Sequence, residues 1–305
     1  MSGWTTADIP PQTGKIAIVT GANSGIGYFT ALELARAGAR VIIASRSETK
    51  GLAAAAAINA EISGTNASFE RLDLASLASV AGFASSVSQR LTALDILINN
   101  AGVMALPSRQ TTEDGFEMQF GVNYLGHFAL TAQLLPLLRK STGARTVQLS
   151  SLAHRGGKID FSDLQASRYS AWKVYSQSKL AMLIFALELQ RRSAANGWNI
   201  LSTAAHPGFS RTELIANGPG SKGIVGRISQ LAGAFVGQSA AAGALPTLYA
   251  ATSSLAVPGA YYGPTGFQEL KGPPGIAMIK PQGLDTVTAR KLWEVSETLT
   301  KTRFI

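Results

Sequence analysis

Tyr175 and Lys179 stand four residues apart in the segment YSQSK, inside a run whose apolar spacing predicts a helix over 171–192. On a helix that separation puts a phenol and an ammonium on one face. The ammonium favours phenolate and lowers the phenol's pKa toward working pH, so the tyrosine can pass a proton to or from an alcohol or carbonyl oxygen. Tyr169 and Lys173 repeat the spacing six residues earlier. The pair alone therefore leaves two candidates.

A second chemistry is written in TGANSGIG, where Gly21, Asn23, Ser24, Gly25, Ile26 and Gly27 follow a buried-strand run over 15–20 and open a helical pattern over 26–37. Glycines there permit a tight turn and close approach of backbone amides to a pyrophosphate, and the helix N-terminus favours negative charge. The same glycines would also serve a plain loop-to-helix turn. About 20 residues on, where an NAD-selective site carries an acidic residue, the chain reads Ala44-Ser45-Arg46. A guanidinium can bind a 2′-phosphate bidentately, with Lys50 nearby to assist, so NADP(H) is expected over NAD(H). The competing reading pairs Arg46 with Glu48 as a solvated ion pair.

The elements that must position these residues alternate. Strands are expected over 15–20, 40–44, 69–72, 94–98, 145–149 and 198–205, and helices over 26–37, 50–62, 77–91, 122–138 and 171–192. That alternation implies right-handed crossovers and an α/β fold, a doubly wound parallel sheet. With no linker or repeat, the 305 residues read as a single domain with an N-terminal extension over 1–13 and a C-terminal extension over 264–305. The Gly- and Ser-rich excursion 209–238 follows a strand's C-terminal end, where doubly wound sheets bind ligands, so it reads as a substrate lid or a surface loop. Its Phe209, Leu214, Ile215, Ile224, Val225, Ile228, Leu231 and Phe235 suit a hydrophobic substrate.

Composition removes other classes. With no cysteine, the chain has no disulfide framework, thiolate metal site or cysteine nucleophile. His127, His154 and His206 lack metal-ligand spacing. The net charge of +9 raises nucleic acid, but residues 139–192 hold ten basic and three acidic side chains in no dense run, which fits a small anionic ligand equally well. No nucleic-acid partner is expected. Polar residues and prolines interrupt the longest uncharged stretch, 228–268, so no membrane span is expected, and with no signal segment a cytoplasmic location is the expectation.

The glycine segment Gly21 to Gly27, Asp73, Asn99-Asn100-Ala101-Gly102, Asn123, Ser151, Tyr175 with Lys179, and Pro207-Gly208 occur in the order and approximate spacing of the short-chain dehydrogenase/reductase family, which the chain resembles over about residues 15–262. Within it, VNYLGHF, SSLAH, YSQSKLA and HPG resemble the retinol-dehydrogenase-like and WW-domain-oxidoreductase-like branch, which is often NADP-linked. The resemblance implies a Rossmann fold and an oxidoreductase that interconverts a hydrophobic ketone or aldehyde and its alcohol by hydride transfer.

It further implies Tyr175 as catalytic acid or base and a cofactor contact, with Tyr169 set aside, and Lys179 as its tuner and a contact of the nicotinamide ribose. Ser151 would hydrogen-bond the substrate oxygen, with Ser150 the fallback, and Asn123 would hold a water linking Lys179 to solvent. For the cofactor it implies Asp73 with Leu74 at the adenine, Asn99, Asn100, Ala101 and Gly102 at the adenosine ribose, and Pro207, Gly208 and Thr212 at the nicotinamide; against this, Asn99 and Asn123 read first as scaffold, since a buried amide usually satisfies backbone groups. The 23 residues between Ser151 and Tyr175, against about 12 in shorter members, precede a helix many members use for subunit packing, so a monomer or homodimer is expected. A non-catalytic dinucleotide sensor or partner-binding protein on the same fold is the alternative, and the presence of Asn123, Ser151, Tyr175 and Lys179 together favours the enzyme.

Overall fold

The computed structural model describes residues 3–62, 67–209 and 238–305. Among them eight strands form one sheet: β1 (Ile16–Thr20), β2 (Arg40–Ser45), β3 (Ala67–Arg71), β4 (Ile96–Asn99), β5 (Ala144–Leu149), β6 (Ile200–Ala205), β7 (Tyr261–Pro264) and β8 (Pro274–Ile276), in the order β3-β2-β1-β4-β5-β6-β7-β8. All pairings are parallel except β7 with β8. The doubly wound parallel sheet expected from sequence is present, and β8 adds an antiparallel edge because its connection to β7 is too short for a crossover.

Helices α1 (Gly25–Arg36), α2 (Glu48–Glu61), α3 (Leu77–Arg90), α4 (Gly126–Leu138), α5 (Ala171–Asn196), α6 (Ala240–Thr252) and α7 (Thr286–Thr300) cover both faces. The central strands are buried on both sides, so they read as largely apolar runs such as Ile16–Thr20 and Ile96–Asn99. One apolar layer joins α3, α4, α5 and α7 to the sheet, and a second joins α1, α2 and α6 to its other face. Local chemistry sets the helix ends. Ser47 and Ser76 accept from the amides of Lys50 and Ser79 at the starts of α2 and α3, and α5 stops where Gly197 turns left-handed.

Strand order reverses between β1 and β4, whose C-terminal ends lead into Gly21 and Asn100. That switch point opens the crevice in which this architecture binds ligands. The C-terminal extension folds back: Trp293 of α7 packs edge-on against Phe128 of α4, with Phe185 of α5 and Phe304 beside it. Of the expected lid, Phe209 and Gln238 are described, and Gln238 N–H donates to the Phe209 carbonyl, so the two ends of the excursion meet. Thr212 and the remaining apolar residues expected there lie outside the described residues.

Candidate active site

The glycine turn is shaped by contact. Gly21 has φ 65° directly after β1, and a Cβ on Gly27 would lie 2.5 Å from both the Gly21 carbonyl and Asn100 Nδ2. The turn is braced from β4: Asn100 Nδ2 donates to the Thr20 carbonyl at 2.7 Å, and the Asn100 and Ala101 amides donate to Thr20 Oγ1 at 2.9 Å. Ser24 caps α1 without a side-chain hydrogen bond, and the first turn carries no acidic residue. The first-turn amides thus face an uncharged loop of Asn23, Ser24, Gly25 and Ile26, a donor set that fits a pyrophosphate.

Arg46 is exposed one residue beyond β2, and no Arg46–Glu48 ion pair occurs among the described residues. Asp73 Oδ1 accepts from the Ala75 amide, and its own amide donates to Ser79 Oγ, which fixes the carboxylate beside buried Leu74. Asn99 is placed as scaffold. As the last residue of β4 it is fully buried, and Nδ2 donates to Thr131 Oγ1 and Gln148 Oε1 on the α4 side of the sheet, away from the glycine turn that its neighbour Asn100 braces. Successive strand residues point to opposite faces.

Ser151 follows β5 and caps the short turn Leu152–Gly156, where its Oγ accepts from the Ala153 amide at 3.2 Å. The hydroxyl of Ser150, the fallback, is buried and donates to the Lys179 carbonyl at 2.8 Å. Tyr175 and Lys179 lie in the second and third turns of α5, both buried. Tyr169 precedes the helix, donating to the Leu106 carbonyl and accepting from Gln119 Nε2, while Lys173 is exposed. The rival pair therefore shares no helix face.

Lys179 Nζ donates to the Leu149 carbonyl at 2.9 Å and sits 5.9 Å from the centre of the Tyr175 ring. Burial pushes the lysine down to about 8. Burial also raises the Tyr175 phenol above its ordinary value, outweighing the opposing hydrogen bond from Ser151. Desolvation thus disfavours phenolate more strongly than the Ser151 hydrogen bond favours it, a direction opposite to the lowering expected from Lys179. Gly102 completes the site floor, since a Cβ there would meet Asn123 Oδ1 at 3.0 Å and Lys179 Nζ at 3.5 Å.

Asn123 lies in a π-helical turn, Gly121–Leu125, which breaks the α-helical ladder ahead of α4. Its Oδ1 accepts from the Val103 amide, its Nδ2 donates to the Val103 carbonyl and Ser178 Oγ, and its main-chain carbonyl accepts from His127 Nδ1. It braces the loop after β4 against α5. The water-holding role expected for it has only second lone pairs to use. Pro207 and Gly208 follow β6, with Gly208 at φ 64° and its Cβ position blocked at 2.4 Å by the Leu270 carbonyl. Sequence reasoning missed Thr20 and His127 as supports of the site. His127 stands one helical turn after Asn123, a spacing that carried a signal.

A family model described as short chain dehydrogenase matches residues 15–219. Human retinol dehydrogenase 13 is 52% identical over 203 residues, which cover 66% of this chain and 60% of that protein. Retinol dehydrogenase 11 of Mus musculus is 40% identical over 300 residues, 97% of this chain and 89% of that protein. The match thus spans about 60% of the length of the first relative and most of the second. Among solved structures, an uncharacterized protein from Mycobacterium paratuberculosis shares 41% identity and a TM-score of 0.82 over 100% of both chains.

Proposed function

The chain belongs to the short-chain dehydrogenase family, in its retinol-dehydrogenase-like branch, and from that premise we propose that it is an NADP(H)-dependent oxidoreductase interconverting a hydrophobic ketone or aldehyde and its alcohol. The observation that carries this reading is a run of contacts: Ser151 hydrogen-bonds Tyr175, Lys179 Nζ lies 5.9 Å from the centre of the Tyr175 ring, and Lys179 and Asn123 meet at Gly102, two residues beyond the Asn100 that braces the glycine turn.

Gly21, Asn23, Ser24, Gly25, Ile26 and Gly27 would hold the pyrophosphate. Asp73, Leu74, Asn100, Ala101 and Gly102 would hold the adenosine half, Arg46 a 2′-phosphate, and Lys179, Pro207 and Gly208 the nicotinamide half. When bound, the nicotinamide dinucleotide supplies or accepts the hydride. Tyr175 delivers a proton to the carbonyl oxygen, or takes one from the alcohol, through its phenol Oη. A phenol kept above its ordinary pKa is fully protonated at neutral pH and ready to donate. Ser151 Oγ hydrogen-bonds the same oxygen as charge develops on it. Lys179 places a positive charge beside the phenol, and Asn123 holds that geometry.

An apolar substrate is supported by the relatives named as retinol dehydrogenases and by Trp172, 57% exposed, whose ring stands edge-on 6.0 Å from Tyr175. A monomer or homodimer is supported by α7 and Phe304, which cover the apolar faces of α4 and α5. No helix among the described residues is long and apolar enough to cross a membrane.

The test is NADPH and NADH oxidation against a graded series of aliphatic and aromatic ketones and aldehydes. Turnover that grows with substrate hydrophobicity and favours NADPH is expected. Tight NADPH binding with no turnover of any carbonyl would transfer the reading to a dinucleotide sensor.

A further inference from the structure

Glu269 sits in the turn between β7 and β8, and both it and Gln268 hold left-handed backbone, at φ 61° and 49°. Residues with a Cβ adopt that conformation only where their surroundings impose it. What imposes it is a set of hydrogen bonds to one carboxylate. Glu269 Oε2 accepts from Arg155 Nη2 at 2.7 Å and from His206 Nε2 at 3.0 Å, while Oε1 accepts from the Met278 amide at 2.9 Å.

Each arm reaches a turn of the proposed site. On one side, His206 Nδ1 accepts from the Gly208 amide at 3.1 Å, so Nε2 carries the ring proton and donates to Glu269. The ring occupies the place of a side chain on Gly263, whose Cβ would lie 1.9 Å from Nε2. The Leu270 carbonyl, next in the same turn, accepts from the Phe209 amide. On the other side, Arg155 belongs to the turn capped by Ser151, in which His154 Nδ1 donates to the Ser151 carbonyl at 2.7 Å. Neither contact is short in sequence, and neither the family motifs nor the site roles above involve Glu269.

We propose that Glu269 is a positioning residue, a carboxylate clamp that sets the Ser151 turn and the Pro207–Gly208 turn at a fixed separation and so aligns the substrate oxygen with the nicotinamide. This role rests on the oxidoreductase reading above. Misplacement of reacting groups by about 1 Å costs on the order of 100-fold in rate, and a clamp spanning both turns controls that distance.

The experiment compares Glu269→Ala, Glu269→Gln and Arg155→Met with the wild type, well below each melting temperature. Glu269→Ala is expected to lower kcat/KM by about 10- to 100-fold and to weaken NADP+ binding about tenfold, the scale of one lost charged hydrogen bond. Glu269→Gln keeps an acceptor for His206 and should recover most of the NADP+ affinity.

Amide hydrogen exchange without cofactor reads the clamp directly. Glu269→Ala should speed exchange at both 153–154 and 208–209, whereas Arg155→Met, which severs one arm, should speed only the first. A Glu269→Ala protein that melts lower but keeps wild-type exchange at either turn, or wild-type KM and NADP+ affinity, overturns the clamp. A wild type that binds no NADP(H) overturns the oxidoreductase reading instead, and the exchange pattern still decides whether Glu269 joins the two turns.

Discussion

His127 donates from Nδ1 to the main-chain carbonyl of Asn123, 2.8 Å away, while its Nε2 lies 2.8 Å from the Thr20 hydroxyl. A carbonyl can only accept, so Nδ1 carries the proton. Burial holds the ring near a pKa of about 3, so it is neutral and Nε2 accepts from Thr20. Because Thr20 in turn receives the Asn100 and Ala101 amides, one imidazole links the base of the glycine turn to the π-turn beside the candidate catalytic residues. Replacing His127 by Leu removes both hydrogen bonds while Thr20 keeps the two amides and the Ile98 carbonyl, so a loss of about 0.5–1.5 kcal/mol per bond is expected to lower the denaturant midpoint.

The same burial sets an acid sensitivity. His127 and His154 are held at about 3 and about 4, and His206 is also lowered, in each case chiefly by desolvation. Between those values and the ordinary histidine range the unfolded chain binds more protons than the folded one, so stability rises with pH there and is lost as pH falls below about 6.5. Each such histidine contributes up to about 1.4 kcal/mol per pH unit. Melting temperature should fall steadily from pH 7 to 5, with a shallower slope in His127→Leu.

Tyr175→Phe removes the proton donor and keeps the ring. Turnover is expected to fall at least about 100-fold with NADP+ affinity unchanged, measured by steady-state kinetics alongside equilibrium binding. Carbonyl reduction at near the wild-type rate would remove Tyr175 from the mechanism.

Lys179, pushed down to about 8 by burial, loses its charge as pH rises through that value, while the raised Tyr175 remains protonated. The kcat/KM for carbonyl reduction should therefore decline above about pH 8. A Lys179→Met protein should be slower throughout and lack that break.

Arg46 is exposed with no acidic partner among the described residues, so it is free to meet a 2′-phosphate. Arg46→Ala should raise the KM for NADPH by about tenfold or more, on the scale of a charged hydrogen bond, and leave that for NADH unchanged. Equal loss with both cofactors would assign Arg46 a structural role.

Trp293 seals the outer faces of α4 and α5 and carries the Arg192 guanidinium 4.3 Å from its ring centre. Trp293→Ala is expected to cost about 3–5 kcal/mol. It should also expose Phe128 and Phe185, and self-association of the folded variant by light scattering would register the uncovered face.

The chain's own pattern determined what depends on neighbours in sequence. Apolar runs of strand length and glycines at a strand-to-helix turn act through local sterics and hydrogen bonds, so the alternating elements and the Gly21 to Gly27 turn could be read directly. Tertiary structure decided what depends on distant partners. Asn99 and Asn100 are adjacent and alike, yet one is sealed against Thr131 and Gln148 and the other braces Gly21, because alternation at the strand end assigns them opposite faces.

The two Tyr–Lys pairs share a spacing, but only one lies on a helix, since Tyr169 binds Leu106 and Gln119 before α5 begins. The Tyr175 phenol is raised rather than lowered because its desolvation comes from packing, which no spacing encodes. Glu269 reaches His206 and Arg155 across 63 residues and more because β7 and β8 carry its turn onto the ends of β5 and β6. Contacts of that length follow from topology, and only the folded sheet supplies it.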